Sequence, residues 1–202
     1  MAADPPPSSL PNGLQLVPGA KLDIAYARPG IDLKKYKTIE LTPLSIPQKV
    51  RNAAPNGQFP EGFESYVLRD EDVADIQALY AQVMRDTLGK AGFTFVTVPQ
   101  ADTLIVAVKV TNITLNAPIE STRNNYSGPG ITMTQGAGSM AIAAVLADGP
   151  TGVVIAEAGD RQFPTNIWRA NTRVSNTADA KKMFRFWAQA LSDRLTGGPA
   201  TN

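Results

Sequence analysis

Carboxylates, arginines and aromatic rings carry whatever chemistry this sequence holds, because it contains neither histidine nor cysteine. Without histidine the commonest general base, the commonest zinc ligand and the usual near-neutral switch are missing. Without cysteine there is no disulfide framework and no thiol chemistry. Serine–histidine–aspartate and cysteine–histidine catalysis are therefore excluded within this chain. What remains is a set of acids. Asp70, Glu71, Asp72 and Asp75 cluster in sequence and read either as a metal site or as the capped, dipole-stabilised start of a helix; the second explains the same residues without further ligands. Glu120 with Arg123, and Asp160 with Arg161, read as ion pairs or ligand contacts. Paired carboxylates for glycoside hydrolysis would have to flank a cleft. Arg123, Tyr126 and Trp168 fall in segments read as loops, and exposed aromatics with arginine are common anchors of binding surfaces.

The glycines Gly128, Gly130, Gly136 and Gly138 invite comparison with a phosphate cradle. Such a cradle needs a strand before it, a helix after it and usually a lysine at fixed spacing. Here a strand follows, and no lysine lies between Lys109 and Lys181, so a β-hairpin loop is the better reading. Composition narrows the classes further. The chain has 202 residues, 43% hydrophobic and 18% charged, with a formal net charge of +1. That suits one globular domain and argues against a polyanion-binding protein. No segment reads as a signal peptide or a membrane-spanning helix. The long charge-free run 124–147 is broken by Asn124, Gly128, Pro129 and Gly136. The start Met1-Ala2-Ala3-Asp4 reads as an initiator methionine joined to a mature sequence.

The element that must position these residues is the stretch 70–98. Val73, Ile76, Tyr80, Val83 and Thr87 recur at helical spacing, and Leu79, Met84 and Leu88 widen the stripe. Gly92 reads as a left-handed stop, followed by the strand-forming run Phe93-Thr94-Phe95-Val96. Before it, residues 1–20 are proline-rich and read as a tether. Residues 22–37 read as irregular, and the alternating Thr38-Ile39-Glu40-Leu41-Thr42 reads as the first strand. Residues 45–68 read as a long loop. After the helix, 104–115 is the strongest strand, apolar on both faces in its first half, with a slip of alternation at Thr111-Asn112 that predicts a bulge. A second long insertion covers 116–138. Strands near 140–147 and 153–160 form a hairpin through Asp148-Gly149-Pro150-Thr151-Gly152. A last helix is expected over 177–196, capped by Asn176 or Asp179 and ended by Gly197-Gly198.

The expected fold is α/β (α+β): a two-layer sandwich with a mixed, mostly antiparallel five-stranded sheet and two helices on one face. The expected spatial order, counting those five strands along the chain, is 2-1-3-4-5. The expected organisation is a tether over 1–20, one domain over 21–197 and a short tail over 198–202.

Four markers, in this order, carry a family resemblance. They are Tyr26-Ala27-Arg28-Pro29-Gly30-Ile31-Asp32 with Tyr36; Asn116-Ala117-Pro118; Asp148 with Thr151-Gly152 and then Asp160-Arg161; and Ser175-Asn176 leading to Trp187-Ala188. Over residues 14–196 the chain resembles the bacterial family known as domain of unknown function 3313. The resemblance implies an exported cell-envelope lipoprotein, anchored through an acylated N-terminal cysteine that this chain lacks. It implies no activity, so no catalytic residue is carried over. Asn116 and Pro118 from the second marker join Arg123, Tyr126 and Trp168 as the candidate binding residues.

These readings lead to a membrane-tethered, non-catalytic binding or assembly module of the periplasm or outer membrane. A protein of the cell envelope is its expected partner, with no nucleic acid, no metal and no cofactor. The alternatives are a small-molecule or glycan-binding module with a pocket under the 45–68 and 116–138 loops, and a carboxylate-based hydrolase.

Overall fold

The computed structural model describes residues 5–55, 66–116, 133–164 and 167–197. In chain order the strands are β1 (Gln15–Leu16), β2 (Ile24–Ala27), β3 (Thr38–Leu41), β4 (Asn52–Pro55), β5 (Tyr66–Val67), β6 (Thr94–Phe95), β7 (Thr103–Leu115), β8 (Met133–Gln135), β9 (Gly138–Asp148), β10 (Val154–Gln162) and β11 (Trp168–Ala170). The helices are α1 (Gln48–Arg51), α2 (Asp70–Lys90) and α3 (Arg173–Thr196). None of the described helices is long and apolar enough to cross a membrane.

The long antiparallel pair β7–β9 forms the middle of the sheet, running from Leu104 opposite Asp148 to Leu115 opposite Gly138. Leu104, Val106, Val108 and Val110 are buried on one face of β7, as alternation demands. The register shifts between Val110 and Asn112. That bulge moves burial from the even positions to the odd one, so Ile113 returns to the core. Gly138 is required where β9 begins. Its φ is +135°, and a Cβ there would sit 1.9 Å from the Thr114 carbonyl oxygen.

Across the main sheet the order is β1-β2-β10-β9-β7-β3-β6. Within it the five strands expected from sequence stand in the expected order. The count of five is corrected to seven on this path. Ile24–Ala27 pairs with β10, and Gln15–Leu16 pairs with β2. The first of these fell in a stretch read as irregular, because Ile-Ala-Tyr-Ala carries two alanines and little intrinsic strand preference. Its order comes from long-range pairing. The segment expected to be a tether also docks in part. Leu14 is fully buried, the Tyr26 hydroxyl donates to the Pro7 carbonyl at 3.1 Å, and the Asn12 amide donates to Glu157 at 2.7 Å. Beyond the main path, β4 pairs with β7 and β5, and β8 with β11 forms a separate two-stranded ribbon. The 45–68 stretch thus holds α1, β4 and β5 among its described residues.

Helix α2 buries Val73, Tyr80, Val83, Met84 and Leu88. At its start Asp72 accepts from the Arg69 backbone amide at 3.0 Å. Its stop is the expected one: Gly92 has φ +94°, and Phe93 N donates back to the Leu88 carbonyl at 3.1 Å. Helix α3 packs beside it through Phe184, whose ring lies 5.5 Å from that of Tyr80 in an edge contact. The expected cap of α3 is corrected. The helix starts at Arg173, capped by Thr172, whose hydroxyl accepts from Ser175 N at 3.1 Å while Ser175 Oγ accepts from Thr172 N at 2.9 Å. Asp179 lies inside the helix. The sheet with α2 and α3 makes the two-layer packing, and α1 is a third, single-turn helix.

Candidate functional site

The β8–β11 ribbon positions the one described aromatic of the candidate set. Trp168 was expected in a loop; it is instead the first residue of β11, opposite Gln135, with Ala170 opposite Met133. Directly opposed residues share a face, so Met133, Gln135, Trp168 and Ala170 form one side of the ribbon, and Thr134 and Arg169 the other. The Thr134 and Arg169 side is the anchored one. Thr134 is buried, and Arg169 pairs with Asp179 and donates to the Ser175 carbonyl at 2.9 Å. The other side is open: Trp168 is 63% exposed, with exposed Met133 beside it. Ile167, next to Trp168 in the chain, is also exposed.

Asp179 anchors this arrangement. It is fully buried, and its Oδ2 accepts from the Ala137 backbone amide at 2.9 Å as well as from Arg169. One carboxylate therefore joins α3, the β8–β9 corner and β11. Sequence reasoning missed this role, although a signal existed. Asp179 lies one turn before Met183 on the apolar stripe of α3, where a charge must be buried with a partner.

Asn116 is bound to the turn between β8 and β9. Its side-chain amide donates to the Gln135 and Gly136 carbonyls at 2.8 and 3.2 Å, and its backbone amide to the Ala137 carbonyl at 3.0 Å. It closes the approach from β8 to β9. Pro118, Arg123 and Tyr126 lie outside the described residues, as do Glu120, Gly128 and Gly130. The remaining glycines of that group, Gly136 and Gly138, shape the β8–β9 turn with positive φ.

The described acids of the clusters and markers are occupied, as the cap and ion-pair readings require. Asp70 pairs with Arg51 at 2.6 Å, and Asp72 and Asp75 both face Arg173, at 3.2 and 3.3 Å. Asp160 does not pair with Arg161. It accepts from the Asp23 amide, the Gln162 side chain and the Trp187 indole at 3.0, 2.7 and 2.6 Å. Asp148 accepts from Thr151, Tyr36 and Lys35 at 2.7, 2.8 and 2.9 Å. The Thr151 hydroxyl first, then Lys35 and Tyr36, hold its carboxyl down at about 2.

An open cleft of about 380 Å³ lies between α2, α3 and the ends of β7 and β9. Asp72, Leu115, Gly138, Arg173 and Asn176 are among its walls. The Asn176 side-chain nitrogen is buried there with no hydrogen-bond partner among the described residues. This cleft borders both stretches read as long loops.

Residues 13–191 match the model of a family described as a protein of unknown function, DUF3313. The chain belongs to this family. The four markers are now seen to be largely architectural. Arg28 donates to the Val154 carbonyl at 3.1 Å, Asp32 caps the turn at Lys34, and Tyr36 holds Asp148. Ser175 caps α3, and Trp187 holds Asp160. No curated protein matches the DUF3313 chain. Among solved structures, the PelC dodecamer from Paraburkholderia phytofirmans is similar at 11% identity and TM-score 0.41, over 83% of this chain and 96% of that one. A Xanthomonas campestris protein of the DUF330 family gives 12% and 0.45, over 82% and 86%. A DUF4136 family protein from Bacteroides thetaiotaomicron gives 12% and 0.38, over 89% and 97%. None of these likenesses bears on activity.

Proposed function

We propose that this DUF3313 protein is a non-catalytic binding or assembly module of the bacterial cell envelope, and that it meets a protein partner through the open side of the β8–β11 ribbon. The observation that carries this is the pairing of opposites on one ribbon: Arg169 fixed to a buried acid on one side, Trp168 and Met133 left in solvent on the other. An exposed tryptophan has only two side-chain torsions to fix and so loses little conformational entropy on binding for the area it buries, and such residues are enriched at interfaces. In this reading the protein sits in the periplasm or on a membrane, held by a lipid anchor ahead of the proline-rich segment. The family resemblance and the composition of that segment support this placement. The test is affinity capture from envelope extracts with the parent protein and Trp168→Ala, followed by identification of what is retained. A partner retained by the parent and lost in Trp168→Ala, at unchanged circular dichroism, supports the reading. Retention by both removes the ribbon from it. Membrane fractionation of the native protein tests the placement.

A second reading is favoured by one atom. The unpartnered Asn176 amide in the cleft beside Arg173 suits a small polar ligand or glycan. Thermal unfolding with cell-wall fragments and sugars tests it, since a ligand of the folded state raises stability.

A further inference from the structure

A second cavity, of about 270 Å³, lies between the sheet and the two long helices, away from the ribbon. Its origin is in the sequence. On β2, β9 and β10 the residues facing it include Ala25, Ala27, Ala144, Ala156 and Ala158. Protein interiors are otherwise packed to crystal density. A row of alanines opposite α3 leaves a space that Phe184 and Trp187 border and do not fill. An apolar void of about 150 Å³ already accepts a molecule the size of benzene.

Tyr80 supplies an independent observation. It lines the cavity, is 2% exposed, and its hydroxyl has no hydrogen-bond partner among the described residues. Burial raises its pKa, so it stays a neutral phenol and a donor. A phenylalanine would fill the same place in the core with no unpaired donor, and buried donors are normally satisfied. The charged groups around the space are engaged or outside it. Lys21 and Asp193 pair with each other at 2.8 Å, Asp160 is taken up by Trp187, Glu157 binds Asn12, and Arg194 borders the cavity from its solvent-exposed edge. A charged group carried past that edge to the alanine row would find no counter-ion.

We propose that this cavity binds an uncharged aliphatic molecule bearing one hydrogen-bond acceptor, with its chain against the alanine row and its acceptor on the Tyr80 hydroxyl. The Lys21–Asp193 pair joins the segment after β1 to α3 beside this cavity.

Methyl hexanoate, nonane and sodium hexanoate, titrated separately into the full chain carrying Trp168→Phe, test this. Thermal unfolding and the emission of Trp187 are the readouts. The ester is expected to raise the melting temperature saturably and to shift the Trp187 emission, with nonane at least tenfold weaker and hexanoate weaker than the ester. Tyr80→Phe is expected to remove the preference for ester over alkane while leaving alkane binding in place. Ala156→Leu, or Ala144→Leu if the first does not fold, fills the space and is expected to abolish both effects. The proposal is overturned by no saturable effect of the ester, by an equal effect in a folded filled variant, by nonane or hexanoate matching the ester, or by a preference that survives Tyr80→Phe.

Discussion

The indole nitrogen of Trp187 donates to Asp160 Oδ2 at 2.6 Å, and this contact ties α3 to β10 from inside the core. The same carboxylate accepts from the Asp23 amide ahead of β2 and from Gln162. Its removal therefore leaves several donors without an acceptor, two of them on other elements. Asp160→Ala is expected to cost about 3–5 kcal/mol. Trp187→Phe keeps an aromatic ring against Phe184 and loses one charge-assisted bond and some volume, for about 2–3 kcal/mol. Urea unfolding of both variants checks the order: a Trp187→Phe loss equal to or larger than that of Asp160→Ala would place the anchor in ring packing rather than in the carboxylate.

Arg169 and Asp179 form the second buried link, and the cost of breaking it depends on which partner remains. Arg169→Met leaves a carboxylate fully buried with only the Ala137 amide to satisfy it, for about 3–5 kcal/mol. Arg169→Met combined with Asp179→Leu removes both charges and is expected to be less destabilising than Arg169→Met alone. Chemical unfolding of the single and double variants gives the comparison. A double variant as unstable as the sum of the singles would mean that the pair contributes no coupling.

Much of this architecture is legible in sequence where one element carries a complete local pattern. Helix α2 shows its stripe, its acidic first turn and Gly92. The five expected strands show as alternation or as a strand-forming run after Gly92, their order follows from the strand–helix–strand crossover and the short turns, and the slip at Thr111-Asn112 marks the bulge. What was not legible depends on partners far along the chain. Ile24–Ala27 has no strand signature until β10 lies beside it. Trp168 sits in a three-residue strand, too short for any period to show. Asp179 reads as a cap in sequence because caps and buried acids look alike beside a helix start, and the difference is the presence of Arg169 and Ala137 in space. The unpaired Tyr80 hydroxyl leaves no trace in sequence, since its ring fits the apolar stripe as phenylalanine would.

Gly138 makes a sharp backbone prediction. A methyl group there meets the Thr114 carbonyl, part of the ladder partner strand, and the φ of +135° is one that other residues rarely adopt. Gly138→Ala is expected to destabilise by more than about 2 kcal/mol, combining backbone strain with displacement of β7 from β9. Gly152→Ala is the control: it carries positive φ of +66° and has nothing within 4 Å of the new methyl, so only the conformational part applies. Thermal unfolding of the two variants separates steric from conformational cost. Equal losses would remove the close approach as the reason for Gly138.

Asp148, Tyr36 and Lys35 give one end of the sheet an expected pH dependence. The folded carboxyl of Asp148 titrates at about 2, below its ordinary 3.8, chiefly because of Thr151 and then Lys35 and Tyr36. A depressed carboxyl contributes stability above the unfolded value and loses it as pH falls toward the folded one. Stability from this group is thus complete above about pH 5 and declines toward about pH 2. Tyr36 is raised above 10.0, first by burial and then by its bond to Asp148. Lys35 is raised above 10.5 by the same carboxylate. Raised groups contribute below their unfolded values and lose that contribution as pH climbs through the folded ones, so an alkaline decline is expected above about pH 10. Asp148→Asn keeps the shape and removes the acid titration. Urea midpoints measured from acid to alkaline pH are expected to fall less steeply below pH 5 in that variant than in the parent. Parallel acid limbs would show that other carboxylates, and not Asp148, govern the acid side.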